Sequence, residues 1–124
     1  MMDRPATVTY VYEYADAPGA VVLTELSSAA EEVLGFPTNE WFADAQLWQR
    51  ILHPEDAARV IAATWRTTFQ RMEYDETYRM ITRDSRIVWV RDRADVERLS
   101  DGSEVWRGSW MVVPEPVSAG SGAT

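Results

Sequence analysis

A chain of 124 residues has room for one domain, and its 46% hydrophobic content supports a real core and is too high for a disordered chain. A net charge of −8, with arginine as the basic residue throughout, repels phosphate backbones and anionic lipid, which argues against nucleic acid or a membrane as partner. The absence of cysteine excludes disulfides, zinc–thiolate sites, iron–sulfur clusters and cysteine nucleophiles.

Residues 1–6 form an amino-terminal extension without the apolar segment of a signal peptide. Nor does any later apolar run approach the about 20 residues of a membrane span, so the expected location is cytoplasmic. Thr7 to Tyr14 is β-branched and aromatic and reads as a strand. Pro18-Gly19 marks a turn, and Ala20 to Leu26 a second strand. Ser27 and Ser28, with Glu31 and Glu32 behind them, predict a capped short helix that turns Ala30, Val33 and Leu34 inward and stops at Gly35. One helical turn over Pro37 to Phe42, capped by Thr38, and another over Leu47 to Leu52 follow, closed by His53-Pro54. The longest helix is predicted from Pro54 to Phe69. Ala57, Val60, Ile61, Thr64, Trp65 and Phe69 recur along it at helical spacing as the buried stripe.

The period then changes to two. Tyr74, Tyr78 and Met80 alternate with Asp75, Thr77 and Arg79. Arg83-Asp84-Ser85 makes a turn, Ile87 to Glu97 a long strand, Ser100 to Ser103 a hairpin loop, and Val105 to Val113 the last strand. Residues 114–124 read as a flexible linker or tail, leaving 7–113 as the domain. Two strands, several helices and three more strands imply an α+β fold. Since a lone hairpin is marginal, all five strands should join one antiparallel sheet with the helices on one face.

In this order the motifs resemble PAS domains of the subgroup with a Trp…His-Pro-x-Asp segment. Leu34-Gly35-Phe36 precedes Glu40-Trp41; Trp48 precedes Ile51-Leu52-His53-Pro54-Glu55-Asp56; then come Tyr78-Arg79, Trp89-Val90, Asp101-Gly102 and Gly108. Two positions depart from the pattern: Asp84-Ser85 replaces an Asp-Gly turn, and the strand after Gly108 lacks the acidic residue that often links the sheet to an effector helix. The resemblance implies a non-catalytic sensory or signal-transmitting module, an input or regulatory domain of a signalling protein that often forms a homodimer. No effector domain lies within the chain, so it is either a fragment or a stand-alone partner of a signalling protein.

The resemblance also implies where ligands would sit. Tyr78, Met80, Val88, Val90, Trp106, Trp110 and Val112 should face inward from the sheet, against Trp41, Ile51, Leu52, Ile61 and Trp65 from the helices. That lining suits either a filled core or a small hydrophobic molecule, with Arg50, Arg79 or Thr64 to meet a carboxylate. Cysteine-adduct flavin chemistry is excluded. Met80, Val90 and Trp110, at the positions that would hold a flavin edge, offer no paired donor and acceptor. A redox flavin beside Trp65 and a haem on His53 are both disfavoured, and the cofactor is left unassigned. His53, Pro54, Asp56 and Gly35 are expected to be structural, with Asp56 capping backbone amides; the rival is a small enzyme with a His53–Asp56 acid–base pair. On the outer sheet face, Ile87, Trp89, Arg91 and Arg93 suggest a dimer or docking surface. Alternatively, Trp89 lies flat under arginine side chains and needs no partner. A separate rival is a ligand-free module whose sheet face docks an effector domain.

Overall fold

The computed structural model describes residues 7–14, 21–70 and 73–116, less the side chains of 68–70. The extension before Thr7, the Pro18-Gly19 turn, the Phe69 side chain and most of the tail lie outside the described residues. Within them run β1 (Thr7–Tyr14), β2 (Val21–Leu26), α1 (Ala29–Leu34), α2 (Thr38–Ala43), α3 (Leu47–Arg50), α4 (Pro54–Gln70), β3 (Tyr74–Ile81), β4 (Ile87–Arg98) and β5 (Glu104–Val112). The strands form one antiparallel sheet in the order β2-β1-β5-β4-β3. The two amino-terminal strands thus reach the later three through β1–β5, as the marginal stability of an isolated hairpin requires. The fold is α+β.

Strand parity separates an inner from an outer face. Val8, Tyr10 and Tyr12 of β1, Tyr74, Tyr78 and Met80 of β3, Val90 and Ala94 of β4, and Trp106 and Trp110 of β5 are buried together. Leu34, Trp41, Leu47, Ile51, Leu52, Val60 and Ala63 close over them from the helices. Trp41 is fully buried; its indole N–H donates to the Phe36 carbonyl at 3.2 Å, and its ring packs on Trp110 at 5.4 Å.

Local chemistry explains most ends, with three departures from the sequence expectation. Ser28 stands at the N-cap of α1 without a side-chain cap bond, because Ser27, beside it, extends the sheet instead. The Ser27 hydroxyl accepts from the Thr9 amide at 3.0 Å, and its own amide donates to the Thr9 carbonyl at 2.9 Å. Pro37, rather than Thr38, precedes α2. Gly35 ends α1 at φ +85°, a left-handed conformation where a side chain would also crowd Arg83. In α4 the buried positions are Asp56, Val60, Ala63 and Thr67, spaced four, three and four. Ala57, Ile61 and Thr64 are half-buried at the stripe's edge. Trp65 is 61% exposed, which corrects its placement on the inner wall: five residues beyond Val60 it has turned about 140° from the core direction. No helix among the described residues is long and apolar enough to cross a membrane.

Candidate functional site

The inner face of β4 carries a charge at its centre. Asp92 is 2% exposed and pairs across the sheet with Trp110. Its Oδ2 accepts from the Tyr78 hydroxyl at 2.7 Å and from the Trp110 indole N–H at 3.2 Å, while Oδ1 accepts a short hydrogen bond from the Tyr10 hydroxyl. Tyr78 in turn accepts from the Trp48 indole at 2.9 Å. These bonds favour the ionised carboxylate, yet burial outweighs them and pushes its pKa up to about 7. Burial, reinforced by the nearby carboxylate, likewise raises Tyr10 and Tyr78, so both remain protonated donors.

Gly108 makes this reach possible. It pairs with Tyr10 on β1 and with Ala94 on β4. A Cβ there would lie 2.5 Å from the Tyr10 hydroxyl, 2.6 Å from the Arg93 carbonyl and 2.7 Å from Ala94. The phenol therefore crosses bare backbone on its way to Asp92.

Beside the carboxylate lies a cavity of about 20 Å³, room for about one water-sized group. Tyr10, Tyr12, Tyr14 and Tyr74 line it, with Trp48, Trp106 and Trp110, Thr64 and Asp92. Together with Tyr78, all five tyrosines of the chain thus gather around one carboxylate. The Tyr74 hydroxyl is buried beside the Thr64 side chain and forms no hydrogen bond of ordinary geometry. Tyr14, Trp48 and Thr64 are half-buried and mark the solvent side.

Of the inner residues expected from the sequence, Trp106 and Trp110 line the cavity and Tyr78 joins through Asp92. Trp41, Ile51, Leu52, Met80 and Val90 are buried in the surrounding core, Ile61 is half-buried, and Trp65 faces outward. Asp92, Tyr10, Tyr12, Tyr14, Trp48 and Tyr74 were not anticipated as site residues. Their signal was strand parity: Asp92 is in phase with Val88 and Val90, and Tyr10, Tyr12 and Tyr14 are in phase with one another. Met80, Val90 and Trp110, the positions that would hold a flavin edge, are buried in the core, and Trp110 also lines the water-sized cavity. Among the described residues, no group of three His, Asp or Glu side chains is placed to hold a metal ion.

The His-Pro-x-Asp segment is a clamp between α4 and β3. The His53 ring accepts the Glu55 amide on Nδ1 at 3.1 Å, and its carbonyl accepts the Asp56 and Ala57 amides, so the residue caps α4. Asp56 accepts a backbone amide, as the sequence had suggested, and that amide belongs to β3. Its carboxylate accepts the Arg79 backbone N–H at 2.8 Å and two guanidinium N–H groups at 3.0 and 2.9 Å. The Arg79 hydrogen bonds hold the Asp56 carboxyl below its ordinary range. Both members of the supposed acid–base pair are therefore engaged in holding backbone. Arg50 pairs with Asp44 and Arg79 with Asp56 and Glu55, so neither is turned to a ligand carboxylate in the cavity.

On the outer face, Ile87 is 54% exposed and Trp89 half-buried. The Arg79 guanidinium lies 5.1 Å above the Trp89 ring, the arginine cover foreseen for it. Asp75 holds Arg91 at 3.0 and 2.7 Å and approaches Arg93 at 3.8 Å.

A five-stranded antiparallel sheet with three short helices and one longer helix defines an α+β class of small domains, and a family comparison agrees. Residues 23–109 match the family described as PAS fold, and the chain belongs to that family. The crystal structure of the amino-terminal domain of a Marinobacter aquaeolei diguanylate cyclase with PAS/PAC sensor is 22% identical. It covers 86% of this chain and 93% of that one at a TM-score of 0.68. A sensory box histidine kinase/response regulator from Burkholderia thailandensis is 26% identical, covering 85% and 76% at 0.62. A light-oxygen-voltage domain solved with a flavin analogue is 12% identical, covering 91% and 82% at 0.68, a likeness of fold alone. No curated protein matches the chain.

Proposed function

We propose that residues 7–113 are the input or regulatory module of a signalling protein, sensing at the inner face and transmitting through a homodimer formed on the outer face. The observation that carries this is the outer corner of the sheet. Exposed Ile87 pairs with half-buried Ile81, and beside them lie Trp89 and Val113, whose amide donates to the Trp89 carbonyl at 3.0 Å. Apolar surface with a single arginine laid over it calls for a protein cover. Membership of the PAS-fold family, and the sensor titles of similar structures from a cyclase and a kinase, support a signalling role.

The test is sedimentation velocity of the purified chain beside Ile87→Glu. We expect a dimer for the parent and a monomer for the variant with an unchanged far-ultraviolet spectrum. A parent that stays monomeric at high concentration overturns the dimer. A second reading, a docking module without ligand, is favoured by the water-sized cavity. Mass spectrometry of what denaturation releases separates the two: a stoichiometric small molecule supports sensing, and a clean release supports docking.

A further inference from the structure

The cavity beside Asp92 has a chemistry that selects its guest. An ionised carboxylate offers about four acceptor positions. Tyr78 and Trp110 occupy two on Oδ2 and Tyr10 one on Oδ1, which leaves one on Oδ1. The buried Tyr74 hydroxyl at the same cavity lacks a hydrogen bond of ordinary geometry. Asp92 and Tyr74 both line a space of about 20 Å³.

Charge narrows the choice further. A buried carboxylate needs a proton or a cation to balance it, and the three hydrogen-bond donors on Asp92, two phenols and an indole, are all neutral. Arg79 on β3 and Arg91 and Arg93 on β4 are paired with other carboxylates: Arg79 with Asp56, Arg91 and Arg93 with Asp75. The cavity walls are tyrosine and tryptophan rings, whose faces attract cations. An incoming carboxylate would instead meet Asp92 as a like charge.

We infer that this cavity takes the primary ammonium head group of a small aliphatic amine, with its N–H groups donated to Asp92 and Tyr74 and its alkyl chain leaving past Tyr14 and Trp48. The head group is water-sized, matching the space; a quaternary ammonium is too large and has no N–H to give. This rests on reading the inner cavity as the input site of the module, and it replaces the apolar acid suggested by the sequence with a cation.

The experiment is a titration of the full chain with ethylammonium chloride, followed by the indole N–H signals of Trp48 and Trp110. It is run at pH about 8, where both carboxylate and amine are charged. 1-Propanol serves as the neutral isostere and sodium chloride as the ionic-strength control. The expected result is saturable binding at least about tenfold tighter for ethylammonium than for 1-propanol, a preference lost in Asp92→Asn. Tyr74→Phe, which leaves Asp92 and its donors in place, should weaken ethylammonium several-fold and leave 1-propanol unchanged. It carries the test if Asp92→Asn fails to fold. Saturable 1-propanol binding without an ethylammonium preference overturns the inference and leaves the sensory reading standing. No saturable binding of either probe overturns both. An ethylammonium preference that survives in the folded variants also overturns the assignment to Asp92 and Tyr74.

Discussion

Gly108 and Asp92 show how one residue governs another through a third. Tyr10 reaches Asp92 because nothing projects from Gly108 beneath its ring. Gly108→Ala places a methyl within 2.5–2.7 Å of Tyr10, the Arg93 carbonyl and Ala94. Two of those neighbours are held by strand pairing and cannot retreat cheaply. The expected cost is about 1–3 kcal/mol in urea unfolding, with a change in the Trp110 indole signal as Tyr10 is pushed from the carboxylate. An unchanged midpoint would show that the sheet yields at this crossing. Gly108 was visible in the sequence as part of a motif, but its purpose was not, since the partner that needs the space lies 98 positions earlier on β1.

At the scale of elements, α4 is where periodicity and tertiary contact disagree. Helical spacing allows a stripe through Ala57, Ile61 and Trp65, or one through Val60, Ala63 and Thr67, turned partly around the same cylinder. The structure takes the second, because the clamp at the helix start fixes rotation: Asp56 must face Arg79 on β3, and each later position follows. Trp65→Ala should therefore change stability by no more than about 0.5 kcal/mol, whereas Val60→Ala should cost about 2 kcal/mol through lost burial and the void left behind. Thermal unfolding of the two variants decides which stripe packs inward; a larger loss for Trp65→Ala would refute the observed rotation.

For the whole molecule, two sets of carboxylates set opposite limits of pH. Asp56 and Asp75 are held below their ordinary range, chiefly by hydrogen bonds from Arg79 and Arg91. Their stabilisation is complete above the unfolded value of about 4 and fades as pH falls through the lower folded values. Asp92 runs the other way. With a folded pKa raised to about 7, its contribution is complete below about 4 and fades as pH rises toward 7. Stability against pH should thus rise from the acid side and then decline toward neutrality. Asp92→Asn should remove the decline while keeping the acid limb, measured as the thermal midpoint across pH 3 to about 8. A decline that persists in the variant would place its origin elsewhere in this acidic chain.

A resemblance to PAS domains supplied which face of β3, β4 and β5 turns inward, while the sequence by itself determined the α+β class, the order of the elements, the alternation along the strands and the stop of α1 at Gly35. These rest on local rules: side-chain alternation, capping, and the conformational freedom of glycine. It could have placed Asp92 on the inner face by the same alternation. It could not show that Tyr10, Tyr78 and Trp110, on three different strands, would converge on that carboxylate. Nor could it show that the backbone amide held by Asp56 would be that of Arg79, with its guanidinium beside it. Those depend on strand order and register, with β1 lying beside β5 and α4 turned by its clamp. Contacts between residues far apart in the chain have no local signature, so only the folded sheet decided what surrounds the buried charge.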